Sequence, residues 1–106
     1  MAFTLDDLAA VIASRAVSTA EKSYTKSLLD RGVAHCARKF GEESVEAIVA
    51  AVEKDRKALI KEAGDVIFHL MVLLRASGAE LSDVMAELEA RTQQSGHAEK
   101  AARPKD

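Results

Sequence analysis

Residues Gly41 to Asp65 read GEESVEAIVAAVEKDRKALIKEAGD, two apolar-periodic segments on either side of the polar run EKDRK. One acidic pair, Glu43 and Glu46, precedes that run, and another, Glu62 and Asp65, follows it. Val45, Ile48, Val49 and Val52 recur at intervals of three and four, and Leu59, Ala63, Val66 and Ile67 do the same, which is the period of a helix rather than a strand. Gly41 weakens the first helix by about 1 kcal/mol without ending it. Two helices joined so briefly lie antiparallel and side by side. The acidic pairs then sit at comparable distances from the joint, and the hairpin turns them toward one another.

The first stripe extends back through Phe40 and Ala37 to Val33, so that helix spans Val33 to about Val52. The second continues through Leu70 and Leu74 and ends before Gly78. Phe68, Met71, Val72 and Leu73 make its second half apolar around most of the circumference, which does not suit a helix wet on one side. Nearer the N-terminus, Thr4 precedes LDDLAAVIASR, a capped amphipathic helix, and SYTKSLLDRG is a short helical stretch closed by Gly32. Ser82 and Asp83 open a last helix, DVMAELEAR, with Val84, Met85 and Leu88 facing inward. The remaining TQQSGHAEKAARPKD has no apolar period. The expected organisation is one all-α domain over residues 1–92, a bundle of four to five helices, followed by a disordered tail over 93–106.

At 106 residues the chain has room for one core, and 48% hydrophobic residues with three Phe, one Tyr and no Trp must build it from aliphatic side chains. One Pro and five Gly are too few for the regular turns of an all-strand protein. A net charge of -2 leaves no basic footprint, so neither nucleic acid nor an anionic membrane is expected as a partner. VIFHLMVLL is too short to span a bilayer. The single cysteine, Cys36, can form no internal disulfide and no signal-peptide pattern opens the chain, so a cytoplasmic protein is expected. There is no zinc-type Cys/His spacing, no phosphate-cradling Gly-rich loop and no Ser-His-Asp pattern. Any chemistry falls to the carboxylates.

Glu43 and Glu46, like Glu62 and Asp65, are i,i+3 neighbours on a helix, and such like-charge pairs cost roughly 0.2–0.5 kcal/mol unless cations offset them. Lys39 stands four residues before Glu43 and Lys61 four before Asp65, so a solvated, salt-bridged face accounts for two of the four acids. Glu46 and Glu62 have no cation at i±3 or i±4. A helix start after Gly41, with Glu42 and Glu43 favoured by the helix dipole, leaves Glu62 and Asp65 unexplained. The competing reading is a metal site. An all-oxygen cluster selects Mg²⁺ or Mn²⁺ over zinc, and those ions also hold substrate phosphates, which suits phosphoanhydride hydrolysis. Lys39 is placed either for a phosphate or for an ordinary ion pair with Glu43. His69, one turn beyond Asp65, is either a substrate contact or a structural histidine beside an apolar run. His35 and Cys36 are expected to pack near the entrance of the third helix.

The acidic blocks EESVE and EAGD resemble the ExxE, spacer, ExxD signature of the all-α nucleotide pyrophosphatases related to MazG and dimeric dUTPases. Four ordered blocks, SYTKSLLDRG, ARKFGEESVEAIVAA, DRKALIKEAGDVIFHLMVLL and LSDVMAELEAR, are similar to the phosphoribosyl-ATP pyrophosphatase family over residues 4 to about 92. The resemblance implies Mg²⁺-dependent hydrolysis of the α–β phosphoanhydride of phosphoribosyl-ATP, giving phosphoribosyl-AMP and pyrophosphate, the second step of histidine biosynthesis. It implies metal ligation by Glu43, Glu46, Glu62 and Asp65, with Glu42 as a further ligand or a positioner of water. Lys39 would face phosphate, and Ser23, Tyr24 and Thr25 would lie in a segment closing over substrate. Gly64, inside the fourth helix, and the polar tail depart from what the family leads one to expect. The family forms dimers whose helices combine into one bundle, which agrees with the apolar circumference of the fourth helix.

Two other functions fit the acidic blocks taken alone. One is a house-cleaning pyrophosphatase acting on free or damaged nucleoside triphosphates, and the other is a non-enzymatic helical interaction module. A di-iron bundle does not fit, because none of His35, His69 and His97 has Glu three residues earlier.

Overall fold

The computed structural model describes residues 2–19, 21, 23–93 and 103. Five helices follow in order, α1 (Leu5–Ala16), α2 (Tyr24–Asp30), α3 (Val33–Val52), α4 (Arg56–Ala76) and α5 (Leu81–Thr92), and there is no strand among the described residues. The fold is all-α, as expected. No helix of the described residues is long and apolar enough to cross a membrane. Residues 94–102 and 104–106, most of the expected tail, lie outside the described residues; Gln93 is the C-cap of α5.

Local chemistry sets the helix ends. At α1 the Thr4 hydroxyl accepts from the Asp7 amide at 3.1 Å while the Asp7 carboxylate accepts from the Thr4 amide at 2.9 Å, a reciprocal capping box. Ser23 caps α2, its Oγ accepting from the Lys26 amide at 3.2 Å. Gly32, at φ 90°, both ends α2 and starts α3, and the Leu28 carbonyl at that junction accepts from the Cys36 thiol at 3.3 Å. Cys36 is buried there, and burial pushes its thiol pKa up.

The polar joint between α3 and α4 is only three residues long. Lys54 adopts φ 59°, its amide donating to Ala51 O at 3.1 Å and the next amide, Asp55, to Ala50 O at 3.0 Å. This is a Schellman stop with lysine where glycine is usual. Asp55 then caps α4 through its Oδ1, which accepts from the Ala58 amide at 3.1 Å. The same stop recurs at the end of α4, now with Gly78 at φ 77°. The tight joint folds α4 back along α3, and this hairpin is the most extensive helix pairing in the molecule.

The core gathers on one side of the hairpin. Ile12 from α1, Leu28 from α2, Cys36 from α3 and Met71 and Val72 from α4 are buried together, with Leu8, Phe68, Leu73 and Leu81 packed around them. The α3 stripe takes little part, since Val45, Ile48, Val49 and Val52 are all exposed, Ile48 at 61%. Within one chain α1 and α2 cover only the opposite side, so nothing layers over this stripe. Two expectations for α5 are corrected. It begins at Leu81 rather than at Ser82, because Glu80 is the N-cap, its amide donating to the Asp83 carboxylate at 2.9 Å and its carbonyl accepting from the Asp83 amide at 3.0 Å. Met85 and Leu88 do not face inward but are exposed at 47% and 44%, since α5 buries none of its residues against the body of the chain.

Candidate metal centre

The hairpin brings Glu43 of α3 and Glu62 and Asp65 of α4 together, each half-buried, with one carboxylate oxygen from each lying within 4.8 Å of the others. These are three of the four acids singled out by spacing. Glu46 is exposed and stands outside the group. Three residues on a helix fall about 60° short of a full turn. Spacing puts Glu46 near Glu43 without putting both carboxylates on the same point.

Lys61 pairs with Asp65 as sequence spacing suggests, but Lys39 does not pair with Glu43. Lys39 reaches Glu42 rather than Glu43, at 3.3 Å, and Arg38 lies 3.6 Å from the other Glu42 oxygen. Lys61 lies 3.4 Å from Glu62 and 3.5 Å from Asp65, so Glu62 does have a cation, from the preceding residue. A search restricted to i±3 and i±4 passes over it, because consecutive helical residues do not face each other and only the length of a lysine lets it reach round. At 74% exposure, Lys61 is a weak partner in water. The pKa of Lys61 is raised, first by the charge of Glu62, and that of Lys39 is raised, first by its hydrogen bond to Glu42. Both stay protonated at neutral pH. Among the described residues no ion pair engages Glu43 or Glu46.

Glu62 Oε2 is buried and has no hydrogen-bond partner among the described residues. A carboxylate oxygen removed from water without a donor is costly, and Lys61 meets only the other oxygen. An orphaned oxygen beside two further carboxylates is a donor set in need of a cation, and the all-oxygen set fits a hard divalent ion such as Mg²⁺ or Mn²⁺.

Beyond Asp65 the same face of α4 carries His69, which is buried, with Nδ1 unpartnered. Burial lowers its pKa and the charge of Lys39 lowers it further, against Asp65 and Glu42, so the imidazole is neutral at pH 7. Tyr24 and Phe68 surround it. The Tyr24 ring stacks on Phe68, with centroids 6.3 Å apart and planes 17° apart, and meets His69 edge-on at 6.0 Å. Phe68 and His69 are themselves edge to face at 5.1 Å. Thr25 is fully buried, with Oγ1 also unpartnered, whereas Ser23 is engaged as a helix cap. Phe68 had no place among the candidates, and no local pattern could have supplied it, because residues 24 and 68 meet only through the packing of α2 on α4.

A separate groove lies elsewhere on the molecule. It has a volume of about 590 Å³ between α1 and the α4–α5 turn and is lined by residues including Asp6, Ile12, Met71, Arg75 and Leu81, and by none of the candidates above. Among the described residues its lining contains no convergent set of carboxylates comparable to Glu43, Glu62 and Asp65.

Comparison with known proteins gives a consistent result. A family model described as phosphoribosyl-ATP pyrophosphohydrolase matches residues 5–92. A phosphoribosyl-ATP pyrophosphatase of Nitrobacter winogradskyi is 61% identical over 104 residues, covering 98% of this chain and 90% of its own length. One of Methylobacterium radiotolerans is 60% identical over 102 residues, covering 96% and 95%, and phosphoribosyl-ATP pyrophosphatase 1 of Rhodopseudomonas palustris is 57% identical over 104 residues, covering 98% and 97%. With the family's acidic blocks meeting on one helical hairpin and relatives aligned along nearly its whole length, this chain belongs to the phosphoribosyl-ATP pyrophosphohydrolase family.

Proposed function

We infer that the protein hydrolyses phosphoribosyl-ATP to phosphoribosyl-AMP and pyrophosphate, the second step of histidine biosynthesis, with Mg²⁺ held at the hairpin and Mn²⁺ able to replace it. The observation that carries this reading is the convergence of Glu43, Glu62 and Asp65 around an oxygen that has no partner of its own, in a chain of this family. Glu43, Glu62 and Asp65 hold the ion, and Glu46, exposed on the same helix, is available as the fourth ligand. A bound divalent ion there would offset polyphosphate charge and make a coordinated water a better nucleophile at neutral pH.

The remaining steps fall to the chain. Glu42, fixed between Arg38 and Lys39, offers an acceptor to the water that attacks. Lys39 supplies a permanent positive charge one turn before Glu43, placed for a phosphoryl oxygen. Tyr24, exposed beside His69 beyond Asp65, is the part of the Ser23–Tyr24–Thr25 block open to the portion of the substrate that is not polyphosphate, while Ser23 caps α2 and Thr25 packs inside. A homodimer in the cytoplasm is part of the same reading, supported by the exposed apolar stripe of α3 and by the single buried thiol.

The test is pyrophosphate release from phosphoribosyl-ATP and from a panel of nucleoside and deoxynucleoside triphosphates at one Mg²⁺ concentration. Phosphoribosyl-ATP should have the highest kcat/KM, and activity should vanish on chelation. Higher kcat/KM for deoxynucleoside triphosphates would replace this reading with a house-cleaning enzyme. Failure to bind Mg²⁺ or Mn²⁺ in calorimetry, with substrate analogue present, would leave only an interaction module.

A further inference from the structure

We propose that Tyr24 is the platform on which the purine of the substrate stacks, the rings of Phe68 and His69 holding it in place; the purine assignment rests on the activity inferred above. Tyr24 is 56% exposed although it belongs to a three-ring cluster, so the residue is held by its neighbours while much of it stays open to solvent. Phe68 lies nearly parallel to it with centroids 6.3 Å apart and His69 meets it edge-on, which fixes the plane of the ring. A rigid aromatic face held open to solvent gives up little conformational freedom when a second flat ring settles on it. Stacking of a base on such a face needs no hydrogen-bond readout.

The placement suits the two ends of a nucleotide. His69 is one turn beyond Asp65, about 6 Å along the helix axis, and the Tyr24 ring is a further 6.0 Å from the imidazole. Carboxylates for the polyphosphate and an aromatic face for the base are thus separate features, with His69 next to the aromatic face and one helical turn from Asp65. Lys39, one turn before Glu43 and hydrogen-bonded to Glu42 at 3.3 Å, adds a positive charge beside the carboxylates. The polyphosphate can therefore be held at one end while the base stacks at the other.

Tyr24 is the sole tyrosine of the chain, so the full-length protein labelled with 3-fluorotyrosine gives one ¹⁹F resonance that reports on this ring alone. With Mg²⁺ fixed, titration with phosphoribosyl-AMP should move that line upfield through the ring current of a stacked base, while inorganic pyrophosphate should not. Tyr24→Leu should raise the KM for phosphoribosyl-ATP about ten-fold with a smaller change in kcat. The same variant should leave inhibition by inorganic tripolyphosphate within about two-fold of the original. Tyr24→Phe, which keeps the ring, should restore most of the lost affinity. Turnover of phosphoribosyl-ATP with no ¹⁹F response to phosphoribosyl-AMP would overturn the platform alone. Equal losses toward phosphoribosyl-ATP and tripolyphosphate in Tyr24→Leu would overturn it too, and a wild-type chain that neither turns over phosphoribosyl-ATP nor binds phosphoribosyl-AMP would overturn the underlying activity together with the purine assignment.

Discussion

Glu43 and Glu62 face each other from different helices with no ion pair between Glu43 and a cation among the described residues; Lys61 is mostly in water and Lys39 is paired with Glu42. In the metal-free chain such a cluster opposes folding, and a bound divalent ion reverses the sign. Glu43→Gln should therefore melt higher than the wild type in EDTA, by about 2–4 °C if a relieved like-charge contact contributes about 0.5 kcal/mol. Added Mg²⁺ should raise the melting temperature of the wild type and leave that of the variant nearly unchanged. Replacing groups that merely orient a metal ligand costs 10–100-fold, so loss of the ligand Glu62 as Gln should lower kcat/KM by at least about 100-fold. Full activity in Glu62→Gln, or an unaltered Mg²⁺ response in Glu43→Gln, would remove the metal centre from this place. His69 gives a second test of the same face. Its folded pKa lies below the ordinary 6.5, so the unfolded chain binds the proton more readily; the stability due to neutral His69 is present above pH 6.5 and is lost as pH falls toward the folded value. Thermal melts of His69→Gln should lose less stability than the wild type over that window, and parallel curves would assign the acid sensitivity to other groups. Much of this site is legible in the sequence, because the i,i+3 spacing of Glu62 and Asp65 and their distance from the joint are local. The displacement of Glu46, the Lys39–Glu42 pair and the Tyr24–Phe68 stack are not, because they depend on helix rotation, lysine rotamers and the docking of α2.

Helix ends show the same division between local and distant causes. Thr4 with Asp7, Gly32 and Gly78 carry their own signals, and the helices start or stop there as their chemistry directs. Lys54 carries no such signal, yet it occupies the left-handed position of the α3 stop. The hairpin between the two acidic pairs therefore turns on a residue strained by its β-carbon, a position where glycine is usually found. Lys54→Gly should stabilise the fold by up to about 1 kcal/mol, the cost of a left-handed L-residue less the extra entropy of glycine in the unfolded chain. Gly64 presents the reverse case. It lies inside α4 with an ordinary helical φ, and a β-carbon added there meets nothing within 4 Å. Gly64→Ala should add about 0.5–1 kcal/mol, measured by urea unfolding. If it stabilises the fold while abolishing activity, the glycine is kept for close approach of a ligand or a second chain beside Glu62 and Asp65. A destabilised Lys54→Gly would mean that the lysine side chain contributes more at the turn than its backbone costs.

The chain as a whole has one well-covered side and one bare one. Ile12, Leu28, Cys36, Met71 and Val72 fill the space under α1 and α2, while Val45, Ile48, Val49 and Val52 on α3 and Ile60 and Ile67 on α4 meet water. Residues 45, 48, 49 and 52 follow the i, i+3, i+4, i+7 spacing of a face made for burial, and a helical hairpin that leaves such a stripe bare is half of a bundle. In the proposed homodimer a second copy of the chain would supply the complementary half by symmetry, with the same stripe on both sides of the contact. Sedimentation should then give a dimer whose melting temperature rises with protein concentration. Ile48→Asp should weaken the dimer at least ten-fold, because a carboxylate buried without a partner costs more than the lost methyl groups. Since Ile48 is 61% exposed in the single chain, the same change should leave the monomer's helix content unaltered where it folds alone. If the wild type sediments as a monomer at all concentrations, or Ile48→Asp dimerises as tightly as the wild type, this stripe is not where the two copies meet. Glu43, Glu62 and Asp65 come from one chain, so a folded Ile48→Asp monomer should still bind Mg²⁺ in calorimetry even where it no longer turns over substrate. That outcome would assign the metal centre to the hairpin and the remaining requirements of catalysis to the dimer.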